Sequence, residues 1–265
     1  MTKFSAYFFA IHGSRNRQTL LAADRLERLL TLKIKSQSRA IRSNLLEDNS
    51  SDLNLGNIGV LQNSKTPLIE IAALELAPLP LHESLIQFAE KAYSQGFNRV
   101  KVFPLFLAPG VHVQEDIPKE ISLAIKQLND RVTIELSTFL GKYSGIVRLI
   151  AQKFASFSVQ ARILVSHGSR LPGVTDYYQS LARKVNAANA YWSSEPSLAS
   201  QVKVQVDSGN TSIAIVPYFL FPGKITNAIA VEVEKLQMEY PDVKLFLGEP
   251  LGATEALAEL IAKEI

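Results

Sequence analysis

The chain has 265 residues, 47% of them hydrophobic and 20% charged, with a formal net charge of +3. That supplies a substantial core for one large domain or two ordinary ones and excludes a disordered polymer. The charge is too small to argue for nucleic acid, and the absence of cysteine rules out disulfides, iron–sulfur ligation and thiolate catalysis.

Phe4–Ile11 is a continuous apolar run with aromatics and reads as a buried strand. It is too short to span a membrane and lacks a signal-peptide cleavage pattern, so a cytoplasmic protein without a membrane partner is expected. His12-Gly13-Ser14-Arg15 is the turn that follows. Leu20, Leu21, Leu26, Leu29 and Leu30 then recur at helical spacing. From about Lys33 to Thr66 the chain turns polar and no clear period survives, which marks an inserted, partly ordered excursion. Leu68–Leu74 is a second strand, followed by Glu75. Pro78 and Pro80 lead into a helix closed by Gly96. Arg99–Leu107 is a third strand, Asp116–Leu128 a helix, Val132–Leu136 a fourth strand and Tyr143–Phe157 a helix.

The pattern then restarts. Arg162–Ser166 is a strand, His167-Gly168-Ser169-Arg170 its turn, and Tyr177 to about Asn189 a helix. Ile213–Phe221 is a strand, Thr226–Tyr240 a helix, Val243–Leu247 a strand and Thr254–Ile265 the last helix. Two tags recur in order: HisGlySerArg at 12–15 and 167–170, and ProLeuPheLeuAlaProGly at 104–110 echoed by ProTyrPheLeuPheProGly at 217–223. The chain therefore holds two copies of one unit, 1–158 and 159–265. Val202, Val204 and Val206 alternate with polar residues as a strand would. The repeat register, with Gly209 eight before Pro217 and Gly96 eight before Pro104, favours helix over Ser197–Ser208.

Strands alternating with helices predict an α/β fold: two tandem repeats, each a four-stranded parallel sheet flanked by helices, with a cleft between them. Ligands of such sheets bind beyond the carboxyl ends of the strands. His12, Glu75 and His112 all stand just after strands of the first repeat. Neutral imidazole is a ligand for divalent metals or a proton acceptor near neutral pH, and a carboxylate balances metal charge or takes a proton. Two His and one acid suit Co, Fe or Ni and leave coordination positions open. Gly13 and Gly110 suggest close backbone approach or positive φ. Ser14 is placed to cap the next helix and Arg15 to hold a carboxylate. Gln114, Glu115 and Asp116 suit a helix N-terminus. His82 is expected on the surface. In the second repeat His167 matches His12, Ile225 stands where His112 would, and no acid falls near Tyr191–Trp192. That copy is read as structural and substrate-covering, with Lys224 available to an anionic group.

At these residues the chain resembles the long, two-repeat form of the CbiX/SirB sirohydrochlorin chelatases. The motifs are the two HisGlySerArg tags, the Glu75 region before a proline-led helix, residues 104–118, and the GluPro at 195–196 with the tag at 217–223. The resemblance implies a chelatase-like fold and ATP-independent insertion of a divalent metal, Fe2+ or Co2+ and by extension Ni2+, into sirohydrochlorin, a lyase step of sirohaem or cobalamin synthesis. The metal is a substrate, and no organic cofactor is implied. The family's active-site histidines fall on His12 and His112 and its glutamate on Glu75. Substrate binding is expected of Ser14, Arg15, Gly110, Val111 and Lys224. The insertion in the first repeat and the missing second histidine in the second depart from the family, and the latter favours one site per chain. Two fused repeats imitate a dimer, so a monomer is expected. A non-catalytic tetrapyrrole or metal carrier is the alternative. A histidine phosphatase is disfavoured, because Ile11 and not Arg precedes His12.

Overall fold

The computed structural model describes residues 5–48, 67–171 and 173–265. It contains two parallel four-stranded sheets. The first has the order β2-β1-β3-β4, built from β1 Ser5–Ile11, β2 Ile69–Ala73, β3 Arg99–Pro104 and β4 Thr133–Leu136. The second, β6-β5-β7-β8, repeats that order with β5 Ala161–Ser166, β6 Ala188–Tyr191, β7 Ser212–Pro217 and β8 Lys244–Leu247. The central strands β1 and β5 are paired on both sides, so their runs are apolar on both faces.

The helices of the first half are α1 Arg17–Asp48, α2 Leu81–Ser94, α3 Ile117–Leu128 and α4 Gly145–Ala155. Those of the second are α5 Val174–Lys184, α6 Leu198–Asp207, α7 Lys224–Glu239 and α8 Glu255–Lys263. Their apolar faces sort into three cores. Leu81, Leu85 and Phe88 of α2 and Ile117 and Ile121 of α3 pack with Phe8 and Val102 on the outer face of the first sheet. Leu198 and Val202 of α6 and Ile229 and Val233 of α7 do the same for the second, against Ile163 and Ile215. The largest core lies between the sheets. Leu26 and Leu30 of α1, Ile150 and Phe154 of α4, Leu181 of α5 and Leu257 of α8 join Phe9 of one sheet to Leu164 and Val216 of the other. Burying each such side chain stabilises by about 1.5–3 kcal/mol, so the halves are fused by a shared core. Polar contacts stitch the same seam, among them Thr19 Oγ1 donating to the Pro222 carbonyl at 2.9 Å.

Three expectations are corrected. The excursion expected from about Lys33 is helical as far as Asp48. Ile34 continues the apolar stripe and is buried, and no Gly or Pro stands between Gly13 and Gly56 to stop the helix. The remainder, 49–66, lies outside the described residues, as does Phe4. The helix expected to reach Asn189 ends at Lys184, because Asn186 turns left-handed (φ 52°) and Ala188–Tyr191 pairs with β5 as β6. His82 is half-buried, its backbone N and Nδ1 both within 2.9 Å of Glu120 Oε2. The contested 197–208 segment is the helix α6, with Ser197 Oγ accepting from Ser200 N.

Candidate metal-handling site

The turns at the carboxyl ends of β1, β2 and β3 converge. Backbone bonds carry the pairing beyond the sheet: Leu74 N donates to Ile11 O at 2.8 Å and Glu75 N to His12 O at 2.9 Å. That fixes Glu75 beside His12. Gly13 makes the approach possible. Its φ is +102°, and a Cβ there would stand 1.9 Å from the Glu75 carbonyl oxygen. Only glycine fits a backbone so close and so turned.

His112 arrives from the third strand end. Residues His112–Asp116 form one π-helical turn, closed by Ile117 N donating to His112 O, before α3 begins. This wider turn sets Asp116 against the first imidazole, with Oδ2 2.7 Å from His112 Nδ1. A carboxylate at Nδ1 holds the proton there and leaves Nε2 with its lone pair outward. Gln114 Nε2 donates to Pro109 O at 2.6 Å and ties the turn to the preceding loop.

The result is a compact set. One ligand atom each from His12, Glu75 and His112 lies within 4.8 Å of the other two. The imidazoles meet edge to face with centroids 4.8 Å apart, and the Phe106 ring walls one side, 5.8 Å from His112 and 6.4 Å from His12. His12 and Glu75 are exposed and His112 is half-buried, so the set opens outward. Among the described residues this is the group of His and acidic side chains spaced to hold a metal ion.

The remaining expected residues divide. Asn16, not Ser14, caps α1: its Oδ1 accepts from Gln18 N at 2.8 Å and Thr19 N at 3.4 Å. Ser14 Oγ instead accepts from Asn16 N at 3.0 Å and shapes the turn, and Ser169 Oγ does the same for Leu171 N in the second repeat. Arg15 is exposed and in no ion pair among the described residues. Gly110 has open space around it and needs no glycine for steric reasons, and Val111 is exposed beside it. Lys224 opens α7, exposed, on a loop bound to α1 through Thr19 and through Asn227 Nδ2 donating to Gln18 Oε1 at 3.3 Å. His167 stands exposed at the end of β5; partial burial of its ring and the nearby His12 imidazole lower its pKa. Asp116 is expected from the sequence only as a helix-start acid; its pairing with His112 is the new feature, although an acid four residues after a His at a helix start is a readable signal.

A cavity of about 470 Å³ lies elsewhere, lined by Gln18, Ala22, Arg25 and Lys153 and by the loop Glu249–Thr254. None of the three metal-spaced side chains reaches it. Ala22 stands ten residues after His12, and Tyr177 ten after His167. In the second repeat that position is filled by a phenol ring; in the first, alanine leaves the space open.

The CbiX family model matches residues 58–156 and again 161–265. A sirohydrochlorin ferrochelatase of Priestia megaterium is 23% identical over 217 residues, 77% of this chain and 79% of the relative. A sirohydrochlorin cobaltochelatase of Methanosarcina barkeri is 31% identical over 119 residues, 39% of this chain and 92% of that protein. The structure of SirB from Bacillus subtilis with Fe3+ superposes with a TM-score of 0.70 at 22% identity, covering 98% of this chain and 93% of SirB. That superposition gives the same fold, and with one family model matching in both halves over most of the length, the chain belongs to the CbiX family.

Proposed function

We propose that this protein inserts a divalent metal ion, Fe2+ or Co2+, into sirohydrochlorin without ATP, using one site in its first repeat, residues 1–158. The observation that carries the reading is the convergence of His12, Glu75 and His112 within 4.8 Å at the open edge of the first sheet. Relatives named for iron and for cobalt insertion supply the substrate class.

The chemistry follows from the donor set. The metal must shed water, and the macrocycle must lose two pyrrole protons before its nitrogens close around the ion. Two imidazoles and one carboxylate are enough to receive a hydrated ion while leaving coordination positions open to an incoming nitrogen. Asp116 keeps the His112 Nε2 lone pair available, for the metal or for a pyrrole proton. Glu75, exposed beside His12, offsets the ion's charge and passes protons to solvent. Arg15 and Lys224, both exposed cations without ion pairs among the described residues, meet the carboxylates of the macrocycle. Ser14, Gly110 and Val111 line the approach through the turns. No described helix is long and apolar enough to cross a membrane. We assign the protein to the cytoplasm as a monomer, since two fused repeats already supply the paired arrangement a dimer would give.

The test is anaerobic absorbance of sirohydrochlorin mixed with Fe2+, Co2+ or Ni2+ and a catalytic amount of protein. Many equivalents of metallated product per protein support insertion. A spectral change that stops at one equivalent identifies a carrier and refutes the enzyme.

A further inference from the structure

The second repeat lacks the paired imidazole, but it reaches across the seam and holds the loop that delivers the first repeat's. Tyr218 follows β7 and is buried. Its hydroxyl donates to the Leu107 carbonyl at 2.8 Å, and Leu107 lies five residues before His112. Tyr177 on α5 donates to the Gly141 carbonyl at 2.7 Å, and its oxygen stands 3.0 Å from that of Tyr218. Gly141 N in turn donates to Phe106 O at 2.9 Å, so both carbonyls belong to one knot of loops after β3 and β4. A Cβ on Gly141 would lie 2.6 Å from the Tyr177 hydroxyl and 2.1 Å from Leu107 O.

This hold runs one way. Tyr218 N donates to Val165 O as Leu105 N donates to Ala10 O, so Leu105 is the register partner of Tyr218. Ala22 is the partner of Tyr177 by its distance from the HisGlySerArg tag. Neither partner has a hydroxyl. The tyrosine hold therefore acts on the half that carries the imidazole pair, whereas the matching loop of the second half is bound from α1 by Thr19 Oγ1 donating to Pro222 O.

We propose that Tyr218, supported by Tyr177, is a positioning residue for His112: it fixes the Leu107–Gly110 loop and thereby the place of the His112 ring relative to His12 and Glu75. The proposal rests on the reading of His112 as part of the metal-handling set. The two hydroxyls have two protons for three short oxygen–oxygen contacts, so the hydroxyls compete. Without the Tyr177 hydroxyl, Tyr218 keeps its bond to Leu107. Without the Tyr218 hydroxyl, Leu107 O has no other donor among the described residues. The variants should therefore rank.

The experiment compares Tyr218→Phe, Tyr177→Phe and Tyr178→Phe. Tyr178 is buried in the same aromatic cluster, 6.3 Å from Tyr218 between centroids, and serves as the control for lost packing. Each variant is read by kcat and KM for metal insertion and by the ring 15N–1H resonances of His112 in the metal-free protein. Tyr218→Phe is expected to lower kcat by about 10- to 100-fold, the scale of a small misplacement of a reacting group, to change KM by less than about threefold and to shift the His112 resonances. Tyr177→Phe should shift them less, and Tyr178→Phe should leave both readouts near wild type. His112 resonances that stay in place in Tyr218→Phe, or that move equally in Tyr178→Phe, overturn the proposal. The resonances answer even if the wild-type protein inserts no metal, an outcome that would refute the enzymatic reading alone.

Discussion

Replacing Gly13 by alanine tests how tightly the site is built. The new methyl would stand 1.9 Å from the Glu75 carbonyl oxygen, 2.9 Å from its carbon and 3.1 Å from Ala73 Cβ. An ordinary carbon–oxygen contact is about 3.3 Å or more. The turn after β1 must therefore separate from the Glu75 turn by well over 1 Å, breaking the bond from Glu75 N to His12 O. The backbone at φ +102° adds about 1–3 kcal/mol of strain for a residue with a Cβ. A displacement near 1 Å at a reacting group costs roughly 10²-fold in rate, and the shift here separates two of the three donors directly. Gly13→Ala should lose about 100-fold or more in initial insertion rate, with a lowered Tm and an unchanged far-ultraviolet spectrum. Gly110→Ala is the matched control for stability: a Cβ there meets nothing within 4 Å, so Tm should stay near wild type. A Gly13→Ala protein within about fivefold of the wild-type rate would show that the close approach of the two turns does not hold the site together.

His12→Ala and His112→Ala should each abolish insertion, by about 100-fold or more, while thermal melts show an intact fold; His167→Ala should cost less than tenfold by the same scale, and equal losses from all three would defeat a single-site reading. Asp116→Asn keeps shape but removes the charge at His112 Nδ1, and insertion should fall by about 10-fold, within the range for partners of metal-binding histidines; unchanged metal affinity and rate would show that the pair is incidental. Stability should fall as the pH drops below the ordinary imidazole value. The folded His167 pKa is lowered, chiefly by burial and next by His12, so its contribution is present above the unfolded pKa and lost as pH falls through the folded one. Because the ring is partly exposed the slope should be shallow, and His167→Gln should flatten it in denaturant titrations run across that range.

The topology was legible because the repeats announce themselves. Two HisGlySerArg tags and two proline-bounded apolar strands set the register, and that register overrode the strand-like alternation of Val202, Val204 and Val206 in favour of the helix α6. The three metal-spaced residues were legible for a related reason: His12 and Glu75 directly follow apolar runs and His112 follows one after the Pro109-Gly110 turn, and parallel sheets gather such positions at one edge. What stayed hidden depends on geometry that sequence spacing does not carry. The π-turn from His112 gives Asp116 its partner, whereas an acid in a first helical turn is usually explained by the helix dipole. Asn16 outcompeted Ser14 for the cap because the turn ends one residue pair later than the tag implies. β6 was masked by Ala188 and Ala190, which favour helix in isolation and form a strand because β5 offers an open edge. The polar composition past Lys33 concealed a helix whose apolar stripe narrows to residues such as Ile34. The tyrosine hold joins residues 111 positions apart, from Leu107 to Tyr218, and no local pattern reports it.

The most direct measurement is an anomalous-scattering map from crystals of the wild-type protein soaked anaerobically in Co2+. One strong peak is expected, bonded to His12 and His112 with Glu75 at or next to the ion, and lost in His112→Ala crystals. A strong peak elsewhere, with this trio left empty, would contradict the assignment of the site.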